Sequence, residues 1–129
     1  MDELIKVLFV DDNRQLVAAW ERLITQQPDM RFVGALRSAE GLVAKALSCG
    51  PDVILVDLTM AGPDPLGAVA QLSKECPSVC TLIYSGHSRD EWADRVVDAG
   101  AAGFIDKGED PATILDLIRQ IIRDHQRRV

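Results

Sequence analysis

Basic residues are in short supply in this chain. Of its 129 residues, 14 are Lys or Arg against 20 Asp or Glu, and the formal net charge is -6. Nucleic-acid backbones are gripped by clustered Lys and Arg, so no direct nucleic-acid binding by this segment is expected. Cysteine is scarce too. Cys49, Cys76 and Cys80 are an odd number, and Cys76/Cys80 has no second Cys or His pair to complete a zinc site. They read as small apolar residues of a reducing compartment. His87 and His125 each stand alone in the sequence. Long apolar runs are absent as well. Val7 to Val10 and Val53 to Val56 are short, and nothing approaches the ~20 residues of a membrane-spanning helix. The opening Met1-Asp2-Glu3 is acidic and polar, unlike a secretory leader. No membrane association is expected, and the expected location is the cytoplasm.

What is present is an ordinary globular composition, 47% hydrophobic and 26% charged, of a length that fits one domain with a core of its own. Strand and helix patterns alternate along it. Leu4 to Val10 is apolar and β-branched-rich, then stops at Asp11-Asp12-Asn13. Leu16, Val17, Trp20, Leu23 and Ile24 fall on one helix face, which Pro28 ends. Arg31 to Leu36 is a weaker strand. Ser38 is a candidate N-cap for a helix through Leu47, stopped by Gly50-Pro51. Val53 to Val56 reads as a strand buried on both faces. Asp64-Pro65 opens the next helix as N-cap and first-turn proline. Val79 to Tyr84 is a fourth strand, and Ser88 with Glu91 forms a capping box for a fourth helix ending near Gly100. Gly103 to Asp106 is a fifth strand, followed by a helix from Asp110-Pro111 to about Arg123. Five such units imply an α/β fold, a doubly wound parallel sheet with helices on both faces.

In such sheets ligands bind beyond the carboxyl ends of the strands. The first strand ends in Asp11-Asp12, the third in Asp57, the fourth in Ser85 and the fifth in Asp106-Lys107. Singly, each has a plain structural role: the acids as helix caps or turn residues, Ser85 as a loop residue, Lys107 as a surface charge. Together they place several carboxylates, one hydroxyl and one ammonium along one edge. Converging carboxylates repel unless a cation offsets them. A hard divalent ion such as Mg2+ suits that donor set, and a carboxylate can act as a nucleophile toward a phosphoryl group.

The stretches Val10-Asp11-Asp12-Asn13, Val53 to Met60, Tyr84-Ser85-Gly86-His87 and Gly100 to Lys107 resemble the landmarks of CheY-like response-regulator receiver domains, over about residues 4 to 123. The resemblance implies the flavodoxin-like (βα)5 sheet in the order 2-1-3-4-5, with residues 1–123 as receiver and 124–129 as a tail or the start of a linker. It implies that Asp57 accepts a phosphoryl group from a histidine kinase or phosphotransfer protein. Mg2+ would be held by Asp12, Asp57 and the backbone carbonyl of Thr59, with Asp11 acting mainly through water. Ser85 would be the switch hydroxyl, Phe104 the aromatic switch, and Lys107 the partner of the phosphate. Thr59 and His87 occupy positions that tune phosphate lifetime in the family.

Some positions depart from the family pattern. Ala61 stands where proline is usual, Pro65 where glycine is common, and Gly108 where many receivers carry proline. Pro63 and Pro65 stiffen the loop after Asp57 and leave its path open. The lack of proline after Lys107 resembles receivers that precede helix-turn-helix output domains, so the regulatory part of a transcription regulator is expected. A stand-alone relay or partner-binding receiver remains an alternative. A Mg2+-dependent phosphohydrolase is a further one, disfavoured because Thr59 replaces the second acid such an enzyme needs. Ile114, Leu115, Leu117, Ile118, Ile121 and Ile122 give the last helix a broad apolar face, either core or partner surface. From it a homodimer through the helix 4/strand 5/helix 5 region is expected.

Overall fold

The computed structural model describes residues 4–86 and 89–127. Five parallel strands, β1 (Ile5–Val10), β2 (Met30–Leu36), β3 (Val53–Val56), β4 (Cys80–Ser85) and β5 (Gly103–Asp106), alternate with five helices. The helices are α1 (Arg14–Thr25), α2 (Leu42–Cys49), α3 (Pro65–Glu75), α4 (Arg89–Asp98) and α5 (Pro111–Arg127). The sheet order is β2-β1-β3-β4-β5, so the expected doubly wound order 2-1-3-4-5 is what the chain adopts. The order reverses between β1 and β3, which opens a crevice beyond their carboxyl ends.

Side-chain alternation along the strands sorts the core into two layers. Val7, Phe9, Val53, Leu55, Leu82, Tyr84 and Ile105 face Trp20 and Ile24 of α1 and Ile114, Ile118 and Ile122 of α5. Leu8, Val10, Ile54, Val56 and Ile83 face Leu42 of α2, Val69 and Leu72 of α3 and Val96 of α4. Every residue of β3 is buried, as its unbroken Val-Ile-Leu-Val run requires.

Several boundaries differ from the sequence reading, each for a local reason. Ser38 does not cap α2. Its hydroxyl instead accepts the Glu40 N–H at 3.2 Å. Gly41 precedes the helix at φ +74, a left-handed residue that cannot lie inside a right-handed helix. The start is therefore Leu42. β4 extends to Ser85 because β5 pairs with it as far as Ser85–Asp106. The last helix runs to Arg127 rather than stopping near Arg123. No glycine or proline interrupts it, and His125 Nε2 sits 3.0 Å from the Ser78 carbonyl. Residues 124–127 of the segment expected to be a tail or the start of a linker thus continue that helix. The capping box expected at the start of α4 involves Ser88, which lies outside the described residues, as does His87.

The broad apolar face of α5 is mostly explained by the core. Ile114, Leu115, Ile118 and Ile122 are buried and Ile121 packs against them, while Leu117 is 38% exposed. The width of that face is therefore not in itself an argument for a partner. On the other side of α5, Arg119 reaches the turn before β2. Its Nε and one terminal nitrogen form a fork on the Asp29 carboxylate at 2.7 and 3.0 Å, and the same terminal nitrogen meets Gln27 Oε1 at 2.8 Å.

Two outcomes follow. Ile118→Ala empties a fully buried site between α5 and the sheet and should destabilise the protein by about 2–5 kcal/mol in denaturant unfolding. The hydrogen bond from Arg119, and its charge, hold the Asp29 carboxyl below its ordinary value. A lowered folded-state value means stability that is present above the unfolded-state value and lost as pH falls through the folded one. Asp29→Asn should therefore lower the melting temperature slightly at neutral pH and converge on the parent in strong acid, as followed by thermal melts across pH.

Candidate phosphoryl-acceptor site

The backbone ladder continues one step past the strands and fixes the site residues. The Asp11 N–H donates to Leu36 O, the Asp57 N–H to Val10 O, and the Lys107 N–H to Ser85 O, each at 2.9 Å. Alternation then carries Asp11, Asp57 and Lys107 on the same side as Phe9, Leu55 and Ile105, the α1/α5 side. Asn13 relieves the acids of capping duty. Its side chain accepts the Leu16 N–H at 3.1 Å as the N-cap of α1.

Asp11 and Asp57 are each 3% exposed, and Ser85 is fully buried. Asp12 is exposed at the mouth. One carboxylate oxygen from each of Asp11, Asp12 and Asp57 lies within 4.8 Å of the others. Lys107 enters from β5. Its Nζ is 2.8 Å from Asp11 Oδ2 and 3.5 Å from Asp57 Oδ2. The other oxygens are held locally. Asp11 Oδ1 accepts the Asn13 N–H at 2.9 Å, and Asp57 Oδ1 accepts from the backbone N–H and hydroxyl of Thr59 at 3.2 and 3.3 Å. Asp57 is thus a turn residue and a site residue at once.

Burial opposes the charge on Lys107, but the hydrogen bond and charge of Asp11, then the charge of Asp57, outweigh it. The ammonium is held above the ordinary lysine value and stays charged through the neutral range. One cation against three carboxylates leaves the cluster net negative. All the donors are hard oxygens, the set that Mg2+ or Ca2+ prefers over softer metals. The group of acids therefore fits a divalent ion.

The remaining expected residues fall around this centre. Thr59 is exposed beside Asp57. Phe104, on β5, packs half-buried against the core layer on the opposite side of the sheet. It shares a cavity of about 230 Å³ with Glu109 and Leu117. The loop after Asp57 turns at Gly62, whose φ is +102. It enters α3 at Asp64, whose carboxylate accepts the Leu66 N–H at 3.1 Å, and Pro65 fills the first helical turn as expected. Gly108 in place of proline has a reason as well. Its N–H donates to Asp106 Oδ1 at 2.7 Å, a bond proline cannot make.

The sequence reading missed two contacts. It paired Lys107 with a phosphate, whereas here the ammonium already bridges Asp11 and Asp57. It also gave no role to Tyr84, whose ring centroid lies 5.5 Å from the Lys107 ammonium. The signal was available: Tyr84 stands in β4 on the same side of the sheet as Lys107 in β5.

The sequence model of the response regulator receiver domain family matches residues 7–119. The chain belongs to that family. Response-regulator receiver domains are signalling modules of two-component systems, and the match is to that family rather than to an enzyme family. The chain is 34% identical over 119 residues to the response regulator protein VraR of Staphylococcus aureus, covering 92% of this chain and 57% of that one. It thus spans little more than half the length of that relative. A two-component response regulator of the LuxR family from Aurantimonas superposes with a TM-score of 0.87 at 25% identity, over 95% of this receiver and 87% of that chain. A CheY-like receiver domain from Methanospirillum hungatei shares the fold, with a TM-score of 0.88 at 20% identity, over 98% of this receiver and 100% of that chain. Among the described residues no helix is long and apolar enough to cross a membrane.

Removing the cation should expose the imbalance of charge in the receiver. Lys107→Met leaves two buried carboxylates facing each other. With Lys107 partly solvated, the loss should be about 1–2 kcal/mol, between the exposed and fully buried cases. Divalent ions should restore more stability to the variant than to the parent, as read from melting temperatures with and without Mg2+.

Proposed function

We propose that this receiver takes a phosphoryl group on Asp57, with Mg2+ as cofactor, from a sensor histidine kinase or a phosphotransfer protein, and that it works in the cytoplasm. The observation that supports this reading best is the clustering of Asp11, Asp12 and Asp57 at one strand edge, with Lys107 bridging two of them. In the reaction, an Asp57 carboxylate oxygen attacks phosphorus. The P–N bond of a phosphohistidine, or the P–O bond of an acyl phosphate, breaks as the new O–P bond forms, and the leaving group takes the electron pair. The three acids and the Thr59 carbonyl would hold the ion, which when bound supplies positive charge against the phosphoryl oxygens. Lys107 and Ser85 would meet the remaining oxygens, the first as a point charge and the second as a hydrogen-bond donor. The chain's own part is to orient the nucleophile and neutralise charge, on itself and without turnover of a separate substrate.

Phosphorylation adds about 1.5 to 2 negative charges. Lys107 would then exchange Asp11 for a phosphoryl oxygen, Ser85 would follow, and Phe104 would repack from its half-buried place. The surface of α4, β5 and α5 carries the change outward. That surface is the proposed homodimer contact. Leu117 and Phe104 line one cavity there, and Val97 of α4 is 71% exposed. The similarity to LuxR-family response regulators, and the partial coverage of VraR, support a role as the regulatory part of a transcription regulator.

Asp57→Asn should abolish the mass gain of one phosphoryl group on incubation with acetyl phosphate and Mg2+, and EDTA should do the same to the parent. A phosphorylated Asp57→Asn protein would refute the acceptor assignment. Light scattering after size exclusion should show association with beryllofluoride and Mg2+ that Leu117→Glu removes. A monomer in both states would refute the dimer.

A further inference from the structure

The alternation that sets Asp11, Asp57 and Lys107 on one side of the sheet leaves a gap in that row at β4, and Tyr84 fills it. Its side chain is buried, 3% exposed. The Lys107 ammonium lies over its ring at 5.5 Å while holding Asp11 at 2.8 Å and Asp57 at 3.5 Å. The cation therefore has carboxylates and an aromatic face as its neighbours. The ring is itself pinned. Trp20 Nε1 of α1 donates to the Tyr84 hydroxyl at 3.2 Å, and the two rings meet edge to face at 6.0 Å and 89°. Phe9 of β1 stacks on Trp20 at 5.6 Å.

We propose that Tyr84 is a positioning residue for Lys107, its ring holding the ammonium over the acceptor pocket and its hydroxyl tying that position to Trp20 in α1. The role in transfer rests on the reading of Lys107 as the group that meets the phosphoryl oxygen. A ring face attracts a cation without accepting a conventional hydrogen bond from it. An ammonium has three N–H groups. The aromatic face steadies it and leaves those groups free to turn from Asp11 toward an arriving oxygen. A polar side chain at position 84 would compete for them, and an aliphatic one would leave the ammonium to the carboxylates alone.

The test uses Tyr84→Phe and Tyr84→Met, with Tyr84→Leu as a second ring-free variant, in the 129-residue chain. The Lys107 methylene protons next to Nζ should resonate upfield under the ring current in the parent and in Tyr84→Phe, and lose that shift in Tyr84→Met. This is read by NMR without donor, so a wrong acceptor assignment would leave it intact. With acetyl phosphate and Mg2+, Tyr84→Met should lower the maximal rate of phosphorylation several-fold, with the half-saturating donor concentration little changed. Tyr84→Phe should restore most of that loss. The Trp20 indole N–H resonance should move when beryllofluoride and Mg2+ bind the parent, and should cease to do so in Tyr84→Phe. A Lys107 signal that stays upfield in folded Tyr84→Met, a parental maximal rate, or a parallel loss of Mg2+ affinity that marks a merely structural role would each overturn the proposal. Should Tyr84→Met unfold, Tyr84→Leu carries the same comparison, and a Lys107 signal that stays upfield there would overturn the proposal. A Trp20 indole N–H resonance that still moves with beryllofluoride in Tyr84→Phe would overturn the tie to α1.

Discussion

The site is organised around one ammonium group set between two buried carboxylates. Asp11 and Asp57 are almost fully enclosed, and a buried carboxylate without a counter-charge is strongly unfavourable. Lys107 meets both. Its contact with Asp11 links strands that are not neighbours, since β3 and β4 lie between β1 and β5. The same contact keeps the cluster short of neutrality. The acids exceed the cation, which leaves a group of hard oxygen donors that fits a divalent ion. On the proposed function, the cation that stabilises the resting site is also the group that would change partner when a phosphoryl group arrives.

The parallel sheet makes that arrangement possible. Asp11, Asp57 and Lys107 are each held by a backbone hydrogen bond that extends the ladder past the strand, so their positions follow from the packing of two core layers rather than from a flexible loop. The α1/α5 layer carries Asp11, Asp57, Lys107 and Tyr84 at its upper rim. The opposite layer carries Phe104. Ser85 is fully buried at the end of β4.

Most of the fold was legible in the sequence because its signals are local. The Val-Ile-Leu-Val run, the Asp64-Pro65 start, the Gly50 stop and the Trp20–Ile24 stripe each act within a few residues. Where local signals compete, the reading slipped. Ser38 looked like a cap, but it spends its hydroxyl on Glu40, and the left-handed Gly41 sets the true start of α2. The last helix was read only to about Arg123, where its apolar stripe ends, but with no glycine or proline to stop it the helix runs on to Arg127. The site was legible as a list of residues at strand ends. Its pairings were not, because Lys107 and Asp11 are far apart in the chain, and the role of Tyr84 shows only when alternation on β4 is set beside that on β5.

The lysine that balances the site comes from the fifth strand, which has a consequence for how the domain is made. On a ribosome, β1 and β3 emerge well before Lys107. A partly synthesised chain can bring its hydrophobic strands together, but it cannot enclose Asp11 and Asp57 as charged groups until β5 has docked. The upper rim of the nascent sheet must stay open to water, and α5, which covers the same face, arrives later still. Closure of the acid pocket is thereby tied to completion of the domain, so that a truncated chain exposes its unbalanced acids instead of trapping them in a false core.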